Sequence, residues 1–311
     1  MSEKNITLIA TGGTIAGKSE EDGSYSAGSV PGQDLLRGLE PLPAPVQVKQ
    51  LFQMDSREMS QEDWLILAGA VETALKRSRG VVIAHGTDTM EETAFFLSKT
   101  INAARPVILT GAMRPPGHFS PDGPFNLLQS LHLAAWPGAR GVMLLMHDLF
   151  YDGAEAAKTA ASRLNAFSSP GGELGQMYGL IPRTHRDWPS GQASFSLPEG
   201  TRLPLVGLLS GHVGMNTVMV REYIASGLRQ GMRGLVYSAP GDGSVSLAME
   251  ATLLAAVKQG LRVVISSRTG CGWVGGRERG DASCLRGSGW DGPLQARINL
   301  MLELSQTESS F

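Results

Sequence analysis

Hydroxyl side chains flank a pair of glycines at the point where the first apolar segment of the chain ends. The sequence TGGT at positions 11–14 follows NITLIA at positions 5–10. A threonine at the end of a strand can face a ligand, and its hydroxyl becomes a nucleophile once a base takes its proton. Tyr25 follows in a flexible stretch, from which it can close over a bound substrate. Thr11 is therefore a candidate nucleophile.

The same glycines also match a phosphate-binding pattern. Gly12 to Ser19 fits GxxxxGK[ST], and Met143 to Asp148 resembles the strand that holds the metal in such proteins. A phosphate loop leads directly into a helix, whose N-terminal amides hold the anion. Here EEDGSYSAGSVPGQ follows Ser19 and predicts a mobile loop. A nucleotide hydrolase is therefore the weaker interpretation.

A second polar group, HGTDT at positions 85–89, follows the apolar segment GVVIA. Thr87, Asp88 or Thr89 can simply cap the helix that comes next. The same helix N-terminus offers amides and a positive partial charge to a carboxylate or an oxyanion, and Asp88 can orient a base or hold an ammonium group. His85 is interpreted as a structural histidine and is left out of the site.

Lys158 supplies a base if it is buried. It lies among small residues in YDGAEAAKT, after the apolar segment GVMLLM. Removal from water favours the neutral form of a lysine, which can act as a general base. Spacing alone favours an exposed lysine instead, so the assignment depends on the other loops.

Continuous apolar segments must position these loops. Such segments suit strands covered on both faces, which predicts a parallel sheet between helix layers, with ligands beyond the carboxyl ends of the strands. One helix is predicted from the capping box SQED at 60–63 to about Lys76, and another from TMEE at 89–92 to about Ala104. The apolar segments are NITLIA, GVVIA, PVILT, GVMLLM, GLVYS and LRVVIS.

The segment RDWPSGQASFSLPEGTRL, residues 186–203, has little apolar periodicity and contains two prolines and two glycines. This composition predicts a linker. We therefore expect an α/β protein with two α/β domains. Residues 1–185 would form the larger, doubly wound N-terminal domain with the catalytic threonines, and residues 204–311 the smaller C-terminal domain with a parallel sheet.

Composition limits the class of protein. A hydrophobic content of 42% and a net charge of −2 argue against a disordered chain and a basic nucleic-acid binder. Cys271 and Cys284 lack metal-ligand spacing, so reduced thiols are expected, with one disulfide as the alternative. The N-terminus lacks a long apolar region and no segment is long enough for a membrane span, so a cytoplasmic protein is expected, with a processed exported protein as the alternative.

Three segments together resemble the bacterial-type L-asparaginases, including the glutaminase-asparaginases. They are TGGTIAG at 11–17, HGTDTMEETA at 85–94 and TGAMRP at 110–115, and the resemblance extends to QARINLMLEL near the end. It implies hydrolysis of L-asparagine to L-aspartate and ammonia through a threonine acyl-enzyme. A glutaminase-asparaginase of broader specificity is the alternative. No metal or organic cofactor is implied, and the family commonly forms homotetramers built from dimers.

The resemblance also implies catalytic roles. Thr11 would attack the side-chain amide carbon with the help of Tyr25. Thr87, Lys158 and Asp88 would form a second triad that links a hydroxyl to a lysine and an aspartate. Asp88 would also hold the α-ammonium group of the substrate.

The remaining implied roles concern substrate binding. In the loop that contains Asp55 and Ser56, the serine would bind the α-carboxylate, and the backbone carbonyl of Ala112 would meet the leaving amide. Arg57 stands where many relatives have a glutamine or a small polar residue, and a guanidinium there repels an ammonium unless it points away or pairs with a carboxylate.

A neighbouring subunit completes the site in the family, and Ser244 and Glu278 are the candidates for that contribution. Two other functions share these motifs. A tRNA-dependent amidotransferase subunit would carry an extra N-terminal region, whereas the first strand here is expected to begin by residue 5. A non-catalytic asparagine-binding protein would lack one of the reacting groups, whereas the threonines, Asp88 and Lys158 are all present.

Overall fold

Strands and helices alternate along most of the chain, as an α/β fold requires. The computed structural model describes residues 5–19, 25–276 and 284–308. The chain divides into two compact units, Met1–Ser194 and Phe195–Phe311. The boundary lies in a stretch, residues 185–205, that contains no helix or strand.

The described residues of the first unit form twelve strands and three α-helices. The strands are β1 (Ile6–Gly12), β2 (Lys18–Ser19), β3 (Tyr25–Ser26), β4 (Val46–Met54), β5 (Gly80–Ala84), β6 (Pro106–Thr110), β7 (Gly141–Met146), β8 (Leu149–Asp152), β9 (Ala157–Lys158), β10 (Phe167–Ser168), β11 (Gly175–Tyr178) and β12 (Ile181–Thr184). The helices are α1 (Gln61–Leu75), α2 (Met90–Thr100) and α3 (Gly123–Ala135).

Eight of these strands form one mixed sheet in the order β12-β11-β8-β7-β6-β5-β1-β4. The adjacent strands β4, β1, β5, β6 and β7 are parallel, and β8, β11 and β12 continue the sheet beyond β7 in antiparallel pairing. The α/β fold class is thus confirmed, and the antiparallel extension is an addition that the sequence did not predict. A tight turn at His147 and Asp148, both with positive φ, reverses the chain between β7 and β8.

Helices cover both faces of the parallel strands. Val82 packs in one core with Leu127 and Leu131 of α3. Because successive residues of a strand point to opposite faces, Val81 and Ile83 of the same strand face the other side, where they are fully buried. Helices α1 and α2 contact β5, β6 and β7 and cover that side. This double coverage explains why the strand sequences are continuously apolar.

The two predicted helices of this unit differ in how they begin and end. Ser60 and Asp63 form the predicted capping box of α1. Helix α2 ends at Thr100, before the predicted Ala104, because the chain becomes extended at Ile101. The hydroxyl of Thr89 does not cap α2.

In the part of the second unit that the structure describes, four parallel strands form one sheet with three helices, and the parallel sheet is as predicted for the C-terminal part of the chain. The order is β13-β14-β15-β16, and α6 contacts the first three strands. None of the helices in the described residues is long and apolar enough to span a membrane. The elements are β13 (Val206–Ser210), α4 (Thr217–Arg229), β14 (Gly234–Ala239), α5 (Leu247–Lys258), β15 (Arg262–Ser267), β16 (Arg286–Gly287) and α6 (Pro293–Glu308).

Candidate active site

Apart from Tyr25 and Lys158, the candidate residues of the first unit lie at or just after the carboxyl ends of four adjacent parallel strands, β4, β1, β5 and β6. Thr11 is the second-last residue of β1, and Ser56 begins a 3-10 helix just after β4. Thr87 and Asp88 lie between β5 and α2, and Ala112 follows β6. Ligand sites of open parallel sheets lie at this edge.

Main-chain contacts join these loops. Gly12 and Gly13 have φ values of 117° and 76°, in a region that residues other than glycine rarely adopt. A methyl group on Gly12 would overlap the Met54 backbone, and one on Gly13 would overlap Gly86. A methyl group on Gly86 would in turn collide with Ser56. The glycines therefore allow three loops to approach backbone to backbone.

The Thr11 side chain is buried, and its Oγ1 donates a hydrogen bond of 2.9 Å to the Ala84 carbonyl oxygen. A neutral amide carbonyl is too weak a base to take the hydroxyl proton, so this contact orients Thr11 without activating it. The backbone of Tyr25 pairs with that of Ser19. The Tyr25 side chain and residues 20–24 of the predicted mobile loop lie outside the described residues.

The phosphate-loop pattern does not have the structure that phosphate binding requires. A 3-10 helix, Thr14–Ala16, and strand β2 occupy Gly12 to Ser19, and no α-helix follows them in the described residues before α1. The amides of an α-helix N-terminus are thus not available to a phosphate there.

Thr87, Lys158 and Asp88 come together as expected. Lys158 Nζ donates to Thr87 Oγ1 at 3.0 Å and to Asp88 Oδ1 at 2.5 Å. The side chain of Lys158 is 14% exposed and that of Asp88 is 63% exposed. The lysine is therefore largely buried, in contrast to the exposed lysine that spacing alone favours. Asp88 keeps a surface open to a ligand.

A second acidic group meets the same lysine. Glu91, in the first turn of α2, accepts a 2.6 Å hydrogen bond from the backbone amide of Lys158 through Oε2. Burial raises the pKa of Glu91 to about 7, and repulsion from Glu92 adds to the increase. The hydrogen bond and the charge of Lys158 act in the opposite direction.

Ser56 is buried, and its hydroxyl has no hydrogen-bond partner within the described part of the chain. Thr89 fixes the serine, because its Oγ1 donates at 2.9 Å to the Ser56 carbonyl oxygen. A buried hydroxyl without a partner is costly, and a ligand oxygen would relieve that cost. The Ser56 hydroxyl is therefore a candidate donor to a ligand oxygen.

Asp55 and Arg57 are engaged with each other. The Asp55 side chain accepts the Arg57 amide, and Arg57 Nε lies 3.3 Å from Asp55 Oδ2 and 3.6 Å from Glu58 Oε1. The guanidinium is 72% exposed. Arg57 thus has carboxylate partners, which is one of the conditions under which it would tolerate a nearby ammonium group.

The loop after β6 is held from α3. Asp122 accepts hydrogen bonds from the backbone amides of Met113 and Arg114 at 2.8 to 3.1 Å. Asn126 Nδ2 donates to the Gly111 carbonyl at 3.0 Å. Ala112 is therefore enclosed by fixed residues on either side.

Two family models match most of the chain. The first, "Asparaginase, N-terminal", matches residues 5–188, and the second, "Glutaminase/Asparaginase C-terminal domain", matches residues 205–310. The chain belongs to the asparaginase family.

Relatives and a solved structure agree with this membership. L-asparaginase 2 of Escherichia coli (strain K12) is 35% identical over 98% of this chain and 90% of its own length. The glutaminase-asparaginase of Acinetobacter glutaminasificans is 32% identical over 99% of this chain and 97% of its own length. A crystal structure of a probable cytoplasmic L-asparaginase from Campylobacter jejuni has a TM-score of 0.90 and 32% identity, and covers 98% of this chain and 96% of that one.

In this asparaginase family member, the surroundings of His85 are those of a structural histidine, as the sequence predicted. Its Nδ1 lies 2.7 Å from the Gly86 carbonyl oxygen and its Nε2 3.1 Å from Thr93 Oγ1. Complete burial lowers the pKa of His85 to about 4, so the ring is neutral at neutral pH. Nδ1 then carries the proton that it donates to Gly86, and Nε2 accepts from Thr93.

Two predicted residues belong to the C-terminal part of the chain. Ser244 is exposed, and its Oγ donates to Asp242 Oδ1 at 3.1 Å. Glu278 lies outside the described residues. No group of three or more histidine, cysteine, aspartate or glutamate side chains in the described residues is placed to hold a metal ion.

Several residues around the site of this asparaginase family member were missed by the sequence reasoning. Glu91 and Thr89 were considered only as helix-opening residues, although both contact predicted site residues. Asp122 and Asn126 have the i, i+4 spacing of one helix face, which is a signal only once the helix is known to pass behind the β6 loop.

Proposed function

We propose that this protein hydrolyses L-asparagine to L-aspartate and ammonia, with Thr11 as the nucleophile of an acyl-enzyme. The observation that carries the proposal is the Thr87–Lys158–Asp88 chain, at 3.0 and 2.5 Å, in a loop adjoining Thr11. Such a chain joins a hydroxyl to a proton carrier and a carboxylate, which hydrolysis of a neutral amide needs.

The reaction has two halves. Thr11 Oγ1 bonds to the side-chain amide carbon, the carbon–nitrogen bond breaks, and the proton lost by Thr11 leaves with the ammonia. Lys158 donates to Thr87 Oγ1, so the Thr87 O–H remains available to the departing nitrogen. Water then attacks the ester, releases aspartate and restores the Thr11 hydroxyl.

The charged end of the substrate would be bound by residues that can still donate or accept a hydrogen bond. The hydroxyl of Ser56 would donate to the α-carboxylate, and the exposed part of Asp88 would accept the α-ammonium group. The Ala112 carbonyl would accept the amide N–H. Fixing the substrate at several points places its amide carbon against Thr11, which removes much of the entropic barrier.

The test is release of ammonia from L-asparagine, L-glutamine and their D-forms by the wild type and by Thr11→Ala and Thr87→Ala. Each substitution is expected to lower kcat by roughly 10³ or more while circular dichroism stays unchanged. Thr110→Ala is the matched control, because Thr110 Oγ1 donates to the Leu145 carbonyl at 2.9 Å as Thr11 does to Ala84. Near wild-type turnover in Thr11→Ala would reject the nucleophile, and no ammonia from the wild type would reject the activity.

A glutaminase-asparaginase is the second candidate, and the name of the matching C-terminal family model favours it. The same assay separates the two, because comparable kcat/KM values for glutamine and asparagine indicate the broader enzyme.

We also propose a homotetramer of two dimers in the cytoplasm, in which residues 204–311 of one subunit supply Ser244 and Glu278 to the neighbour's site. Light scattering tests the assembly and cell fractionation the location. Co-expression of Thr11→Ala with Glu278→Ala tests the sharing, because a mixed dimer would regain one complete site although each variant alone is inactive. Activity no higher than that of the variants alone would reject it.

A further inference from the structure

One half-buried carboxylate beside the site has no part in the mechanism above. Glu91 Oε2 accepts the backbone amide of Lys158 at 2.6 Å, while Nζ of the same lysine reaches Thr87 and Asp88. The start of α2 therefore holds Lys158 at both ends. Asp88, just before the helix, binds the ammonium, and Glu91, within its first turn, binds the main chain.

The strand that carries Lys158 has little support of its own. Strand β9 consists of Ala157 and Lys158, and among the described strands it pairs with the two residues of β10 alone. The backbone amide of Lys158 is directed to Glu91 rather than to a main-chain acceptor. Without the Glu91 carboxylate, this amide loses its partner and the lysine backbone loses its link to α2.

We propose that Glu91 is a positioning residue for amide hydrolysis, which fixes the Lys158 main chain against α2 and places a second carboxylate beside the lysine. The proposal rests on the proposed function, because it assigns Glu91 to the same reaction.

The charges around Glu91 determine how this effect varies with pH. Glu92 faces it from the same helix and Lys158 from β9, and Asp88 shares the lysine. With a pKa of about 7, Glu91 is neutral in mild acid and ionised in mild base. In its ionised form Glu91 adds a second negative charge beside Lys158, next to that of Asp88.

The experiment compares ammonia release by the wild type, Glu91→Ala and Glu91→Gln across the pH range around 7. Glu91→Ala is expected to lower kcat roughly tenfold or more, with a much smaller change in KM, since loss of a buried acceptor displaces the lysine. Glu91→Gln keeps an oxygen that can accept the Lys158 amide, so it should retain most of the kcat. The ratio of its kcat to that of the wild type should change as the pH passes through about 7, because only the wild-type side chain changes its charge there.

Glu62→Gln is the matched control. Glu62 is the second residue of α1, as Glu91 is of α2, and it is exposed. It removes the same favourable charge from a helix N-terminus, and both kcat and its pH profile should stay as in the wild type.

The outcomes separate the two proposals. If the wild type is active, Thr11→Ala is inactive and Glu91→Ala has an unchanged kcat, the proposed role of Glu91 is overturned and the proposed function stands. A wild type without activity overturns the proposed function. If Glu91→Ala does not fold, Glu91→Gln decides, and a kcat ratio that does not change with pH overturns the proposal.

Discussion

Replacing Asn126 with leucine should destabilise the first unit, although Asn126 is not expected to contact the substrate. Its Nδ2 donates to the Gly111 carbonyl at 3.0 Å and to Asp122 Oδ2 at 3.1 Å, and its Oδ1 accepts the His147 amide at 3.1 Å. The side chain is buried. Leucine has a similar branched shape but makes none of these hydrogen bonds, so the change isolates their loss.

The magnitude follows from what each partner loses. The Gly111 carbonyl is buried, and an unpaired buried polar group costs about 1–3 kcal/mol. The His147 amide is closer to solvent, and Asp122 keeps its bonds to Met113 and Arg114, so each of these losses is worth about 0.5–1 kcal/mol. We expect the free energy of unfolding to fall by about 3 kcal/mol in total.

Urea denaturation followed by circular dichroism, at one protein concentration, measures this change. Asn102→Leu is the control, because exposed Asn102 makes one hydrogen bond, from the Ala193 amide at 3.1 Å, and should lose about 1 kcal/mol or less. A loss in Asn126→Leu no larger than in Asn102→Leu would refute the reasoning, since it would mean that water replaces the amide at no cost.

Three further predictions concern the site. Ser56→Ala should raise KM for asparagine roughly tenfold or more, as steady-state kinetics would measure. It should not lower the free energy of unfolding in urea denaturation by more than about 1 kcal/mol, because the lost hydroxyl has no protein partner in the described residues. Arg57→Gln should change kcat/KM for asparagine by less than about fivefold, because an exposed ion pair such as that between Arg57 and Asp55 contributes about 0–1 kcal/mol. A larger change in steady-state kinetics would mean that the guanidinium contacts the substrate. The pKa of Glu91 in the folded protein, about 7, exceeds its ordinary value of 4.5, so Glu91 ionises first in the unfolded chain and the free energy of unfolding falls as the pH rises between these values. Glu91→Gln should reduce that fall by up to about 3 kcal/mol. If urea denaturation gives the same dependence of stability on pH for the variant as for the wild type, the raised pKa is contradicted.

Much of the parallel core could be predicted because its strands carry a strong local signal. GVVIA, PVILT and GVMLLM coincide with β5, β6 and β7, since burial on both faces demands an unbroken apolar run. Strand β4 was missed because it forms the edge of the sheet and none of its residues is fully buried. Short β8, β11 and β12 likewise lack a distinctive run, and their antiparallel pairing depends on the turn after β7.

The site divides along similar lines. Thr11, Thr87 and Asp88 end apolar segments, so their place at the sheet edge could be expected. The burial of Lys158 could not, because it depends on a two-residue strand folding against α2, and the contact between Glu91 and the lysine amide joins residues far apart in sequence.

The close approach of Gly13 to the Gly86 backbone, and of Gly86 to the Ser56 side chain, limits how the protein can evolve. A side chain at Gly13 or Gly86 would overlap the neighbouring loop, so this part of the floor cannot be reshaped by replacing either glycine. Selection for a larger or differently charged substrate must therefore act at the rim, where exposed residues such as Arg57 can be replaced without moving the main chain. A mutant library restricted to the rim should yield more active variants than one of equal size directed at the floor.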